Sequence, residues 1–254
     1  MTRRFESKVA LVTGGTSGLG RDAAIAFARE GAKVVVTGRR VAEGQETVAL
    51  AKQAGGEAVF VPADMSKPGD IEALVRACAK TYGGLDYAFN NAGIDGTIGT
   101  PITDYRLEVW NEVMAVNLTG MFLCMKYEIA EMLKRGGGAI VNMGAAASLK
   151  ANAVLGAAYI TTKHAIIGLS RTGAIEFAGK GIRVNVVCPA VIRTPLADHL
   201  MSTEAGRTRV LSMHPVGRIG EPKEVSDLVL WLCSPEASFV TGAAIPVDGG
   251  FLLR

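Results

Sequence analysis

Short runs of apolar residues, rich in Val and Ala, recur along the chain and are separated by longer amphipathic segments. Within each run apolar and polar positions do not alternate, which is typical of strands that are covered on both faces of a parallel sheet. We predict a strand at each run. The runs begin at Val9, Lys33, Ala58, Leu85, Ala139, Ile182 and Ala243.

The segments between these runs have helical spacing. In the stretch DIEALVRACAK the apolar positions follow the i, i+3, i+4, i+7 order of one buried helix face. These positions are Ile71, Leu74, Val75 and Cys78. Gly83 and Gly84 are predicted to end this helix, and Gly31 to end an earlier one.

Strands that alternate with helices form right-handed βαβ units and a doubly wound sheet. No linker, internal repeat or low-complexity segment interrupts the series. The sequence therefore predicts one α/β domain over residues 1–254, with a Rossmann-type parallel β-sheet flanked by helices on both faces.

Composition and charge exclude several classes of function. The chain has 254 residues with 49% hydrophobic and 20% charged, so a complete core is expected and disorder is not. A net charge of +3 is too small to indicate nucleic acid or an anionic membrane as the main partner. The first apolar run is too short for a signal peptide or a membrane span. We expect a cytoplasmic protein without a membrane anchor.

The four cysteines, Cys78, Cys124, Cys188 and Cys233, are far apart in the sequence. Such spacing argues against a disulfide framework and against a zinc site, and it is typical of buried free thiols in a reducing compartment. The three histidines share no ligand spacing either, so we predict no metal site.

A glycine-rich turn, TGGTSGLG, follows the first predicted strand and precedes a helix pattern. Gly14, Gly18 and Gly20 stand where a strand-to-helix turn must bring its backbone close to a pyrophosphate. The N-terminus of the following helix then offers free N–H groups to the phosphates. This context predicts a dinucleotide site.

The end of the second strand indicates which dinucleotide is bound. An acidic residue there would accept a hydrogen bond from the adenosine ribose and repel a 2′-phosphate. This chain instead has Gly38, Arg39 and Arg40, with no acid before Glu43. Because guanidinium groups pair well with phosphate, we expect NADP(H) in preference to NAD(H).

Tyr159 and Lys163 stand four residues apart in the stretch YITTK. On a helix such residues project from one face. A nearby ammonium group favours the phenolate and is expected to lower the tyrosine pKa from its ordinary value near ~10. The phenol could then exchange a proton with a substrate near neutral pH.

Taken in order along the chain, these motifs resemble the short-chain dehydrogenase/reductase family in its compact single-domain form, over essentially the whole length. The matching segments are TGGTSGLG, NNAG at Asn90–Gly93, VNLTG around Asn117, YITTK, RVNVVCPAVIRTP at Arg183–Pro195 and VDGG.

The resemblance implies roles for individual residues. It implies that Tyr159 is the general acid/base, that Lys163 holds the nicotinamide ribose, and that Asn117 positions a water in a proton relay. Asp64 would bind the adenine amino group, and Ile192 and Thr194 the carboxamide of the nicotinamide. The whole implied cofactor set comprises Gly14, Thr16, Ser17, Gly18, Leu19, Gly20, Arg39, Arg40, Asp64, Met65, Asn91, Ala92, Gly93, Tyr159, Lys163, Ile192 and Thr194.

The chain departs from the family at one catalytic position. The family has a serine after the strand that begins at Ala139, and this serine donates a hydrogen bond to the substrate oxygen. Counting forward from the strand gives Ala145, and counting back from Tyr159 gives Ala146. Neither can donate, and Ser148 is two or three residues late. Either the alanine is an engineered replacement, or the protein works through Ser148 or without turnover.

The function implied by the resemblance is interconversion of a secondary alcohol and a ketone with NADP(H), in a homotetramer. The alternative is a non-catalytic cofactor-binding scaffold or sensor. Residues 195–217 are interpreted either as a substrate lid or as surface helices. Ile94, Val154, Leu155 and Leu196 suggest an apolar pocket for a small-molecule substrate.

Overall fold

A single parallel sheet forms the centre of the molecule. The computed structural model describes residues 3–151, 154–194, 197 and 201–254. Within them the strand order is β3-β2-β1-β4-β5-β6-β7, with every neighbouring pair parallel. The strands are β1 Val9–Thr13, β2 Lys33–Gly38, β3 Glu57–Pro62, β4 Tyr87–Asn90, β5 Gly138–Met143, β6 Ile182–Pro189 and β7 Ala244–Val247.

Helices cover both faces of this sheet. In chain order they are α1 Gly18–Arg29, α2 Val41–Gln53, α3 Pro68–Tyr82, α4 Leu107–Met114, α5 Gly120–Lys134, α6 Ala157–Phe177, α7 Glu204–Ser212 and α8 Pro222–Cys233. One apolar core lies between the sheet and α1, α2 and α8, and a second lies between the sheet and α3, α5 and α6. The predicted doubly wound fold is confirmed.

The local signals of the sequence correspond to the observed boundaries. The predicted strands match β1 to β7, although the strand expected at Leu85 begins at Tyr87. Helix α3 buries Ile71, Leu74, Val75 and Cys78 and ends at Gly83 in the left-handed conformation, with φ of 82°. Gly31 likewise follows α1 with φ of 92°.

Helices α4 and α5 form one continuous rod through a π-helical segment, Ala115–Thr119, which contains Asn117. Residues Leu107–Lys134 are long and apolar enough to cross a membrane by length and composition, and 44% of the most apolar window is buried within the protein. Core helices of globular domains meet the same criterion, and α5 packs here against α3 and β5.

All seven strands run in the same direction, so their carboxyl ends meet at one edge of the sheet. The glycine turn follows β1, the two arginines follow β2, and the alanine-rich turn follows β5. This edge, together with the first turn of α6, holds the candidate site.

Candidate active site

The glycine turn is packed so tightly that side chains are excluded at two positions. A Cβ atom built on Gly14, where φ is +64°, would lie 2.9 Å from Ala92 Cα. One built on Gly20 would lie 2.4 Å from the carbonyl oxygen of Gly14. The turn therefore leads directly from β1 into α1, which begins at Gly18, and it exposes backbone of the kind that approaches a pyrophosphate closely.

Hydroxyl groups on this turn contact an arginine that follows β2. Arg40 donates a hydrogen bond of 2.9 Å to Thr16 Oγ1 and one of 2.7 Å to Ser17 Oγ. Ser17 is the N-cap of α1, but its side chain makes no cap hydrogen bond. The first-turn N–H groups of α1 are thus left without a side-chain cap, as an anion-binding helix N-terminus requires. Leu19, by contrast, packs against the core.

Arg39 and Asp64 interact at the same edge. Hydrogen bonds from Ser66 hold the pKa of Asp64 below its ordinary value, and the charge of Arg39 acts in the same direction. The neighbouring Met65 is buried, and its carbonyl oxygen lies against Gly120 at the start of α5. An ionised acceptor and a free guanidinium thus lie beside the glycine turn.

The segment after β4 is fastened to the glycine turn. Asn91 Nδ2 donates to the carbonyl oxygens of Thr13 and Gly14, both at 3.1 Å. The N–H group of Ala92 donates to Thr13 Oγ1, also at 3.1 Å. Asn91 and Ala92 therefore tie the segment after β4 to the glycine turn.

The segment after β6 also lies against the glycine turn. Thr194 Cγ2 lies 3.5 Å from a Cβ built on Gly18, so this segment lies across the glycine turn. Ile192 is buried and pairs with Gly220 in an isolated parallel bridge. The predicted carboxamide contacts, Ile192 and Thr194, thus stand beside the predicted pyrophosphate site.

Tyr159 and Lys163 project from one face of α6 as expected. The Nζ atom of Lys163 lies 5.5 Å from the centre of the Tyr159 ring. It is buried and donates a hydrogen bond of 2.8 Å to the carbonyl oxygen of Met143, the last residue of β5. This bond holds the ammonium group at the carboxyl edge of the sheet.

Asn117 lies next to this pair but uses its amide on the backbone. Its Oδ1 accepts from the N–H of Ile94 and its Nδ2 donates to the carbonyl oxygen of the same residue, both at 2.8 Å. A Cβ built on Gly93 would lie 3.4 Å from Asn117 Oδ1 and 3.9 Å from Lys163 Nζ. The π-helical segment around Asn117 therefore fixes the chain after β4 against the lysine.

The predicted lowering of the Tyr159 pKa by Lys163 is wrong. Burial raises the pKa of Tyr159 above its ordinary value, and the negative charge of Asp95 raises it further. Burial also lowers the pKa of Lys163 to about 8, against the opposing effect of Asp95. Desolvation thus has the largest effect on both groups, because it penalises the charged form of each.

The alanine-rich turn has no hydroxyl at positions 145 and 146, where the family's serine is expected. Ladder contacts of β5 extend through Gly144, and Ala145 follows in extended conformation before the short 3₁₀ segment Ala146–Ser148. Ser148 is buried, and its Oγ accepts a hydrogen bond from the N–H of Ala145 at 3.0 Å. It also hydrogen-bonds Cys188, which lowers the pKa of that thiol against the effect of burial. The Ser148 hydroxyl is thus engaged inside the turn.

The rest of the predicted substrate region is only partly described. Ile94 and Leu155 are partly buried and Val154 is exposed, while Leu196 lies outside the described residues. The predicted lid begins at Pro195, which also lies outside them. Its described part is mainly α7, whose one buried residue is Val210.

Two features of the site were not predicted from the sequence. Asp95 acts electrostatically on both Tyr159 and Lys163, although it is remote from them in the sequence. The π-helical segment around Asn117 also gave no separate signal, because its apolar spacing merges with the helices on either side. An acidic residue two positions after NNAG is visible in the sequence, but only the fold brings it to the phenol.

At the opposite edge of the sheet, one carboxylate pairs with two cationic side chains. A cleft of about 300 Å³ lies at the amino ends of the strands, opposite the candidate site. It is lined by Asp86, which pairs with Lys8 at 3.5 Å and with Arg135 at 3.1 Å. Among the described residues there is no group of three or more His, Cys, Asp or Glu residues that could hold a metal ion.

The fold and the site define a class of protein: a Rossmann-type domain whose glycine turn and Tyr–Lys pair lie at the carboxyl edge of one parallel sheet. A family model described as enoyl-(acyl carrier protein) reductase matches residues 14–252. The chain is 39% identical over 251 residues to the cyclohexanol dehydrogenase of Acinetobacter sp. strain SE19, covering 99% of this chain and 97% of that protein. It is 41% identical over 249 residues to the 2,5-dichloro-2,5-cyclohexadiene-1,4-diol dehydrogenase of Sphingobium indicum strain UT26, covering 97% and 98%.

Solved structures agree. A short-chain dehydrogenase/reductase from Mycobacterium ulcerans superposes with a TM-score of 0.95 at 32% identity, covering 98% of this chain and 91% of that one. Levodione reductase superposes with a TM-score of 0.93 at 31% identity, covering 99% and 100%. The chain belongs to the short-chain dehydrogenase/reductase family of nicotinamide-dependent oxidoreductases that act on alcohol and ketone groups.

Proposed function

We propose that this protein interconverts a cyclic secondary alcohol and its ketone with NADP(H), using Tyr159 as general acid/base. The observation that carries the proposal is the buried ammonium group of Lys163, which is held by the carbonyl oxygen of Met143 and lies 5.5 Å from the centre of the Tyr159 ring. The six-membered ring is proposed from the relatives named for cyclohexanol and for a cyclohexadiene diol.

The residues of the cleft fit a bound dinucleotide with a 2′-phosphate. The glycine turn would hold the pyrophosphate, Arg39 and Arg40 the 2′-phosphate, and Asp64 the adenine. The nicotinamide, when bound, supplies or accepts the hydride. Lys163 would hold the adjacent ribose through its Nζ, while Asn117 keeps the chain at Ile94 fixed against it.

Tyr159 would move the proton. In ketone reduction its hydroxyl donates to the substrate oxygen, so the neutral phenol is the active form. In alcohol oxidation the phenolate is the active form. Because burial and Asp95 raise the pKa of Tyr159, reduction is favoured at neutral pH and oxidation is expected to increase as the pH rises.

The alanines at 145 and 146 favour a second candidate, a cofactor-binding scaffold without turnover. The extended backbone at Ala145, directly after the β5 ladder, supports Ala145 as the position of the missing serine. Loss of one such donor typically costs ~10²–10³ in rate, so the enzyme proposal predicts slow rather than absent turnover.

The test follows NADPH absorbance with cyclohexanone for the natural chain and three variants. Ala145→Ser should raise turnover about 10²-fold, whereas Ala146→Ser should not. Tyr159→Phe should abolish turnover while NADPH still binds, as measured by fluorescence titration. If NADPH binds but neither serine variant turns over any cyclic ketone, the scaffold candidate is correct.

We also propose a cytoplasmic homotetramer. Helices α5 and α6 leave apolar side chains in solvent, with Phe122 48% and Ile175 82% exposed, so a second copy of the chain could cover this face. The four cysteines are buried and free, which suits a reducing compartment. Light scattering would give the assembly mass.

A further inference from the structure

The loop after β4 carries a carboxylate that the proposed reaction does not use. Asp95 is partly buried, and it makes no hydrogen bond or ion pair with the described part of the chain. It nevertheless acts electrostatically on Lys163 and on Tyr159. The carboxylate of Asp95 is therefore available to accept a hydrogen bond from a bound molecule.

The backbone on both sides of Asp95 is held in place. Asn117 binds both the N–H and the carbonyl oxygen of Ile94 at 2.8 Å. On the other side Gly96 has φ of +71°, and a Cβ built there would lie 2.6 Å from Tyr105 Oη. The position of Asp95 is therefore set by packing rather than by a mobile loop.

The same loop is packed against the segment that leads into α6. The N–H of Gly99 donates a hydrogen bond of 2.7 Å to the carbonyl oxygen of Val154. A Cβ built on Gly156 would lie 2.4 Å from the carbonyl oxygen of Thr97. Asp95 thus lies on a wall that adjoins the first turn of α6, where Tyr159 is found.

The effect of Asp95 on the proton-transfer groups argues for a role in binding. Its charge raises the pKa of Tyr159, which works against the phenolate that alcohol oxidation needs. The same charge opposes the lowering of the Lys163 pKa by burial, although the described chain has no salt bridge between the two side chains. Because the fixed loop packs against the segment that leads into α6, the carboxylate lies near both proton-transfer groups, where a substrate hydroxyl can donate a hydrogen bond to it.

Resting on the proposed function, we infer that Asp95 is a specificity-determining residue that accepts a hydrogen bond from a second hydroxyl group of a cyclic diol or hydroxyketone. The first hydroxyl or carbonyl is the one at Tyr159. An ionised acceptor at this place favours substrates with a second donor, and it repels substrates that carry a carboxylate.

The experiment compares 1,4-cyclohexanediol, cyclohexanol and 4-hydroxycyclohexanecarboxylate as substrates with NADP⁺. The variants are Asp95→Asn, which keeps one acceptor without the charge, and Asp95→Leu, which has neither. The control is Asp104→Asn, which removes one charge from the exposed 3₁₀ segment Ile102–Asp104 of the same connection.

We expect the kcat/KM ratio of diol to cyclohexanol to fall roughly tenfold to a hundredfold in Asp95→Leu, with a smaller fall in Asp95→Asn. The Asp104→Asn control should keep the natural ratio. The carboxylate substrate should be rejected by the natural chain and improve in both Asp95 variants.

Two results would overturn the inference. One is an unchanged diol-to-cyclohexanol ratio in Asp95→Leu. The other is an equal loss for both alcohols, which would assign Asp95 to the proton-transfer groups alone. If the chain turns over no alcohol, the proposed function fails, but the inference about Asp95 can still be tested. Calorimetry of the NADP⁺-loaded protein then gives the dissociation constants of the diol and of cyclohexanol, and their ratio is compared between the variants.

Discussion

At the residue scale, the two neighbouring arginines that follow β2 differ in their contacts. The guanidinium group of Arg40 donates hydrogen bonds to the hydroxyls of Thr16 and Ser17 and forms a 3.5 Å ion pair with Glu43. Arg39 is exposed and acts on Asp64 across the cleft. Arg39 is therefore the arginine with more freedom to pair with a 2′-phosphate.

We predict that Arg39→Asp weakens NADPH binding about tenfold to a hundredfold and strengthens NADH binding. The physical reason is the loss of a charge-assisted pair with the 2′-phosphate and its replacement by an acceptor for the ribose hydroxyls. Fluorescence titration with both dinucleotides measures the ratio. Arg76→Asp, an exposed arginine of α3, serves as control. An unchanged NADPH-to-NADH ratio in Arg39→Asp would refute the cofactor proposal.

At the scale of elements, α5 approaches the turn that follows β3 through a glycine. A Cβ built on Gly120, in the first turn of α5, would lie only 2.4 Å from the carbonyl oxygen of Met65. Backbone cannot yield as a flexible side chain can, so the start of α5 would have to move. Since the π-helical segment with Asn117 immediately precedes Gly120, the movement would reach the site.

We predict that Gly120→Ala lowers the free energy of unfolding by about 1–3 kcal/mol, as overpacking does. The matched control is Gly69→Ala in the first turn of α3, where a Cβ meets nothing within 4 Å. The control should be neutral or stabilising by up to about 1 kcal/mol, because alanine favours helix. Urea unfolding measures both variants, and equal effects would show that the contact at Met65 is not limiting.

At the scale of the whole molecule, a buried polar network joins two strands to two helices. Asn90 of β4 donates to Glu128 of α5 at 2.9 Å and to Asn142 of β5 at 3.0 Å, and Asn142 donates to Ser170 of α6 at 2.9 Å. Glu128 is fully buried, and its Oε1 has no partner among the described residues. Burial raises the pKa of Glu128 to about 8, against the hydrogen bond from Asn90.

This raised pKa predicts a pH-dependent stability. Below the ordinary pKa of 4.5 the carboxyl group is neutral in both the folded and the unfolded chain, and its contribution is fully present. As the pH rises towards 8, the unfolded chain releases this proton but the folded chain keeps it. The free energy of unfolding should therefore fall by up to about 1.4 kcal/mol per pH unit, and level off above pH 8.

Glu128→Gln imitates the protonated carboxyl group and should remove that pH dependence. Thermal or urea unfolding from pH 5 to 8 measures it, with Glu236→Gln, an exposed glutamate, as control. Burial raises the pKa of Cys78 and of Cys124, and the charge of Glu128 raises both further. Both thiols should therefore ionise at a lower pH in the variant than in the unmodified chain. Parallel stability curves for the natural chain and Glu128→Gln would contradict the prediction.

The amino-acid sequence by itself determined the strands, the glycine turn and the Tyr–Lys pair, because each depends on residues close together in the chain. Apolar periodicity gave the elements, and the i, i+4 spacing put Tyr159 and Lys163 on one helix face. Left-handed glycines such as Gly83 marked the helix ends, since other residues adopt that conformation at a cost.

Only the tertiary structure decided what surrounds those groups. The approach of Asp95 to Tyr159, the use of the Ser148 hydroxyl inside its own turn and the burial of Glu128 all arise from packing between distant segments. The same packing partly desolvates Tyr159 and buries Lys163, so the pKa of Tyr159 is raised although the spacing predicted that it would be lowered. Spacing along a helix sets which groups are neighbours, whereas desolvation by the whole fold sets which charges they can carry.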